Sequence, residues 1–87
     1  MDWYVYILLC SDGTFYTGIT NNIARRVDQH NFSKNWGSKY TKVRRPVILM
    51  YQEKVSTRSE ALKRENAIKR LTREKKIALI KQNNLGR

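Results

Sequence analysis

The stretch WYVYILLCSDGTFYTGI, residues 3–19, decides how this chain folds. Trp3 to Cys10 is an unbroken apolar and aromatic run rich in Tyr, Val and Ile, and reads as a strand buried on both faces. Ser11-Asp12-Gly13 is a turn signal, and Phe15 to Ile19 reads as a second strand. The loop length sets which side chains share a face. A two-residue turn at Asp12-Gly13 pairs Leu9 with Tyr16 and sends Tyr6 to the opposite face. A three-residue loop, with Gly13 left-handed in a bulge, pairs Leu8 with Tyr16 and Tyr6 with Gly18. We expect the three-residue loop, which puts Tyr4, Tyr6 and Tyr16 on one face, with Gly18 leaving open space beside Tyr6.

Downstream, Thr20, Asn21 and Asn22 offer caps for a helix from Ile23 to about Asn31. Residues Phe32 to Arg45 read as a long loop carrying Gly37, and Pro46 opens a third strand, Val47 to Tyr51. Thr57-Arg58-Ser59-Glu60 has capping-box spacing and starts a helix to about Arg70. Thr72 caps a last helix through about Gln82. The expected fold is α+β, order β-β-α-β-α-α: a three-stranded antiparallel sheet flanked by helices. Residues 1–82 form a single domain, and 83–87 a frayed C-terminal tail.

Eighty-seven residues make one domain with a modest core, so a buried charge stands out. Eighteen Lys and Arg against seven Asp and Glu give a net charge of +11, which points to a phosphate-rich partner. The single cysteine, Cys10, makes no intrachain disulfide and sits in a strand run, as a core thiol in a reducing, cytoplasmic setting does. No stretch nears the ~18 apolar residues of a membrane span, and no signal segment opens the chain. A soluble monomer that engages nucleic acid, and no membrane, is the expectation.

Five polar positions carry the chemistry. At about 100° per residue, Ala61, Leu62, Ile68 and Leu71 form one apolar arc, and Glu65 falls inside it. An inward carboxylate needs a cation, hydrogen-bond donors or a metal; a lean toward one of the many Lys or Arg answers equally well. Arg26 and His30 share a helix face, with Arg25 turned more to solvent. The Arg fork suits a phosphate. His30 could move a proton near neutral pH or orient a hydroxyl, or be a satisfied boundary histidine. Tyr6 and Tyr16 are strand tyrosines, which commonly pack; a phenol works as a base only where positive charge lowers its pKa. In the long loop Lys34, Lys39, Lys42, Arg44 and Arg45 alternate with Trp36 and Tyr40, cations and stacking rings that suit a nucleic-acid strand. A second basic cluster, Lys63 to Lys76, is in part a solvated helix face.

The ordered set resembles the GIY-YIG nuclease superfamily, and is similar to its small, single-domain YhbQ-like group of bacterial proteins. Tyr4-Val5-Tyr6 stands where the family has Gly-Ile-Tyr, and Tyr16-Thr17-Gly18 where it has Tyr-Ile-Gly. Arg26 follows the second tyrosine by ten residues, His30 lies one helical turn later, and Glu65 looks like the family's metal-binding glutamate. Ser38-Lys39-Tyr40-Thr41 and Arg44-Arg45-Pro46-Val47 also resemble that group. Tyr4 and Thr17 depart from the pattern, and the asparagine of several family nucleases has no counterpart beyond Asn83 and Asn84. The resemblance implies a metal-dependent endonuclease hydrolysing phosphodiester bonds of DNA, in repair or recombination. Tyr16 is then the base, assisted through a hydrogen bond by His30. Tyr6 positions water or phosphate, Arg26 stabilises the phosphorane, and Glu65 holds one Mg²⁺ or Mn²⁺. The alternative is a non-catalytic basic nucleic-acid-binding module on the same fold. A protein partner supplying substrate specificity fits either reading.

Overall fold

The apolar run and the hairpin that follows it form the middle and one edge of a three-stranded antiparallel sheet of order β2-β1-β3. The computed structural model describes residues 2–85. Its elements are β1 (Trp3–Leu9), β2 (Phe15–Thr20), α1 (Ile23–Phe32), α2 (Lys39–Lys42), β3 (Ile48–Val55), α3 (Arg58–Lys69) and α4 (Arg73–Leu85). The principal order is the expected one, with the single turn of α2 added inside the long loop.

The hairpin takes the three-residue loop. Cys10 N–H donates to the Thr14 carbonyl (2.8 Å) and Gly13 N–H to the Cys10 carbonyl (3.0 Å). Gly13 sits at φ +85°, a region in which only glycine rests without strain. Tyr6 therefore faces Gly18 and Leu8 faces Tyr16 across the strands. Two arginines hold the loop from outside: Arg44 Nε donates to Asp12 Oδ2 (2.9 Å), and Arg73 Nη1 to the Gly13 carbonyl (2.6 Å).

Antiparallel pairing gives the sheet two differently filled faces. On one, Val5 and Ile7 pack with Tyr51, Ala61, Ile68 and Ile80 under α3 and α4. On the other, Tyr6, Leu8 and Cys10 meet Val47, with Tyr16, Ile23, Val27, Tyr40 and Leu49 packed around them. A β-bulge makes this division possible in β3. Ile7 pairs with Tyr51 but Leu8 with Leu49, so Met50 is the extra residue. It flips the alternation, and Leu49 and Tyr51 then serve opposite faces. Cys10 is buried, and burial raises its thiol pKa, as suits a core thiol.

Three features differ from expectation. β3 runs to Val55, four residues past Tyr51, because an edge strand needs a ladder on one side only and tolerates Gln52, Glu53 and Lys54. α2 is too short to show a period; Ser38 caps it, accepting from Thr41 N–H (3.1 Å). α4 continues through Asn83 to Leu85, where fraying was expected; the remaining Gly86 and Arg87 lie outside the described residues. No helix among the described residues is long and apolar enough to cross a membrane.

Candidate active site

Tyr6 is the centre from which the site is built. Its ring lies on the bare backbone of Gly18: a Cβ there would fall 2.5 Å from the Tyr6 hydroxyl oxygen and 2.7 Å from Cζ. Glycine is thus required at this place by close approach, since its φ is ordinary. The open space expected beside Tyr6 is filled by the Tyr6 ring itself.

From α1, capped by Asn22 whose Oδ1 accepts from Arg25 N–H (3.0 Å), His30 reaches down onto the same face. It is fully buried, with Nε2 2.8 Å from the Tyr6 hydroxyl and Nδ1 2.9 Å from Thr41 Oγ1. The network assigns its tautomer. Thr41 Oγ1 donates to the Ser38 carbonyl (3.1 Å), so it accepts from His30 Nδ1–H. At the other end Tyr6 has the Arg26 guanidinium beside it as a donor. The phenolic proton therefore goes to His30 Nε2, the neighbour that can accept it. The chain runs Tyr6 to His30 to Thr41 to Ser38, every proton directed the same way.

Burial and charge fix the protonation states along it. Desolvation, then Tyr16, push the Tyr6 pKa up to about 12, opposed by Arg26, with Glu65 adding a smaller upward push. Tyr6 is a neutral phenol at pH 7. Burial first, then Arg26 and Arg45, lower His30 to about 4. His30 is therefore neutral at pH 7, and the expectation that it moves a proton near neutrality gives way to a positioning role. Its expected hydrogen bond to Tyr16 is also replaced. Both ring nitrogens are engaged by Tyr6 and Thr41, and Tyr16 meets only the imidazole edge, at 5.1 Å between centroids.

Tyr16 stands next to Tyr6, 6.4 Å between ring centres. Its other side stacks on Tyr40 (5.9 Å), whose ring carries the Arg44 guanidinium at 3.8 Å. Arg26 is held from its own helix and from the loop: Nη1 donates to Gln29 Oε1 (3.0 Å) and to the Trp36 carbonyl. Arg25, as expected, is exposed.

Glu65 does lie on the inward arc of α3. Its side chain is 16% exposed, while Ala61 and Ile68 beside it are fully buried. Lys69, one turn on and half exposed, approaches Oε2 at 3.5 Å. Among the described residues no hydrogen bond or ion pair links Glu65 to Tyr16, Arg26 or His30, though its charge is felt at Tyr6. A mostly shielded carboxylate, loosely paired, retains oxygen lone pairs for a further partner. That suits a Mg²⁺ or Mn²⁺ ion, which keeps several waters and takes one or two carboxylates. The described residues hold no cluster of three or more His, Cys, Asp and Glu, so an ion here would rely on water and phosphate for its other ligands.

The loop residues divide. Lys34, Trp36, Lys39 and Lys42 are exposed, and Lys42 Nζ donates to the Lys34 carbonyl. Arg44, Arg45 and Tyr40 are built into the scaffold where contact with nucleic acid was expected. Arg45 Nε donates to the His30 carbonyl (2.6 Å) and Nη2 to those of Gln29 (3.3 Å) and Ser33, closing the C-terminal end of α1. A cation there also answers the helix dipole. The sequence reading passed over Thr41 and Gln29. Thr41 is fully buried beside His30; the Ser38–Thr41 cap spacing was the available signal.

The GIY-YIG catalytic domain family matches residues 2–78. The chain is 55% identical over 84 residues to a UPF0213 protein of Desulfotalea psychrophila, covering 97% of this chain and 76% of the relative. Two solution NMR structures share the fold. A protein of E. faecalis has a TM-score of 0.66 at 46% identity, with 98% of this chain and 88% of that one covered. A UPF0213 protein of Bacillus halodurans has a TM-score of 0.60 at 39% identity, with coverage of 94% and 85%. With a match over residues 2–78 and relatives of this identity and coverage, the chain belongs to the GIY-YIG catalytic domain family and, within it, to the UPF0213 proteins.

Proposed function

We propose that this protein is a metal-dependent endonuclease that hydrolyses phosphodiester bonds of DNA, acting as a cytoplasmic monomer in repair or recombination. The observation that carries the reading is the packing of Tyr6, Tyr16 and Arg26 around a buried, neutral His30, with the Glu65 charge felt at Tyr6.

The roles follow from what each group is free to do. Tyr6 donates its O–H in a hydrogen bond to His30 Nε2, so its oxygen presents only lone pairs to the site and positions a water O–H. Tyr16, its own phenolic proton first lost to solvent, takes the proton of the attacking water as the phenolate. Arg26 Nη1 is held by Gln29 and Trp36 and the guanidinium also lies beside the Tyr6 hydroxyl, so the N–H groups left over would stabilise charge that grows on the phosphorane. His30 and Thr41 keep the Tyr6 hydroxyl from rotating. Glu65 would hold one Mg²⁺ or Mn²⁺, which when bound supplies Lewis-acid stabilisation of phosphate and leaving oxygens. Lys34, Lys39 and Lys42 add the salt-sensitive attraction of exposed cations to the backbone. A separate protein supplying substrate choice is compatible with so small a site.

The test is nicking of supercoiled plasmid in Mg²⁺ or Mn²⁺ by wild type, Tyr16→Phe and Glu65→Gln. Both variants are expected to lose nicking while keeping DNA binding. Equal nicking by all three would sink the proposal. One observation favours the second reading, a non-catalytic DNA-binding module: Arg26 already donates twice within the protein. Steeply salt-dependent binding without product in either metal would establish that reading instead.

A further inference from the structure

Both tryptophans of the chain line one groove, of about 440 Å³, that curves around the end of β2 beside Arg26. Trp3 and Ile19 form its floor on the sheet side, and Arg25, Arg26 and Gln29 of α1 with Trp36 form the other wall. We propose that this groove takes an unpaired nucleobase, so that single-stranded DNA is the substrate class presented to the site. The inference rests on the nuclease reading above and adds the form of the nucleic acid.

The Trp36 indole is 69% exposed, an unusual position for a ring that gains from leaving water. Its backbone is nevertheless fixed. The Trp36 carbonyl accepts from Arg26, and Gly37 lies so close to α1 that a Cβ there would fall 2.8 Å from the Gln29 carbonyl. An exposed ring on an anchored segment is a prepared surface. Across the groove Trp3 has the Arg58 guanidinium 5.8 Å from its ring. The walls thus combine stacking faces with cations, and Arg25 and Arg26 supply charge complementary to a phosphate. Bases of an intact duplex already stack on one another and hide their faces, whereas an unpaired base can lie on an indole. A base seated here leaves its own phosphate next to Arg26, the residue that holds the loop.

The two tryptophans give the test its own signal. The whole protein is titrated in EDTA, at a salt concentration that suppresses the phosphate term, with a single-stranded deoxyoligonucleotide and with the matched blunt duplex. Intrinsic fluorescence is recorded. The single strand is expected to quench at concentrations where the duplex does not. Trp36→Ala is expected to lose about ten-fold in single-strand affinity, with duplex affinity within about two-fold, and Trp36→Phe to recover most of the loss. Unchanged single-strand affinity in Trp36→Ala, or equal quenching by duplex, overturns the proposal. Without metal no cleavage enters, so this outcome is independent of the nicking experiment.

Discussion

The two faces of the sheet are built from the same strands by different rules. Under α3 and α4, Val5, Ile7, Ile68 and Ile80 fill space, and stability there is a matter of area and fit. Under α1, Tyr6, Tyr16, His30 and Thr41 fill comparable space with oriented hydroxyl and imidazole groups, each needing a partner. The polar atoms of the two faces make the contrast concrete. Thr41 Oγ1, beneath α1, joins the hydrogen-bond chain from Tyr6. Thr17 Oγ1, beneath α3, is buried without a hydrogen-bond partner among the described residues. One face tolerates an orphan hydroxyl as a small local penalty; the other depends on every bond. The difference teaches that in so small a domain one face carries stability, which frees the other to be organised for chemistry.

Tyr16→Phe should break the contrast if it is false. We expect a loss of roughly 10²–10⁴-fold in nicking rate, the range of a proton-transfer group, with the melting temperature nearly unchanged. A large drop in melting temperature would make Tyr16 a packing residue like those opposite. Ile68→Ala is its mirror. Removing a fully buried side chain should lower stability by about 2–5 kcal/mol, measured by urea unfolding, while nicking by the molecules that remain folded keeps its rate.

Between pH 7 and 4 acid should act mainly through the α1 face, the lowered carboxyl of Asp12 entering only at the acid end. The unfolded imidazole titrates near 6.5 and the folded His30 near 4, so between those values the unfolded chain binds more protons. Stability is then fully present above pH 6.5 and lost as pH falls toward 4, by of order 2–3 kcal/mol. Urea midpoints from pH 7 to 4 measure it, and in His30→Gln that slope should largely vanish. A slope that survives the substitution would locate the acid sensitivity elsewhere.

The smallest effects are the most discriminating, because one substitution should have opposite signs. Thr41→Val leaves His30 Nδ1–H without its acceptor and should destabilise by about 1–3 kcal/mol. Thr17→Val removes an unpartnered hydroxyl at constant shape and should be neutral or stabilising by up to ~1 kcal/mol. Equal shifts in melting temperature would erase the distinction between the faces.

Much of this was legible in residues 3–19. The Gly13 loop follows from turn chemistry, and once it is accepted the strict period of two puts Tyr6 against Gly18 and beside Tyr16. Glu65 showed itself because a helix with few apolar positions makes one carboxylate in the arc conspicuous. His30 was placed on the right face but given Tyr16 as its partner, and its protonation was left open, since both depend on Tyr6, Thr41, Arg26 and Arg45, which reach it through the tertiary packing. Arg44 and Arg45 looked like free cations because composition reports charge and says nothing of which carbonyls lie within reach. The bulge at Met50 left no mark in the sequence, for it arises only where β3 must serve two cores.

What the sequence determined by itself was local: the register of one hairpin, the helix caps, the face on which each tyrosine and the glutamate lie. Those follow from backbone geometry, whose periods are the same in every protein. What only the tertiary structure decided was which polar groups meet and which way their protons point. Hydrogen bonds of about 3 Å between residues 6, 30 and 41 depend on how α1 and α2 settle on the sheet. Burial there, absent from any local pattern, makes His30 a neutral support and Tyr6 a fixed phenol.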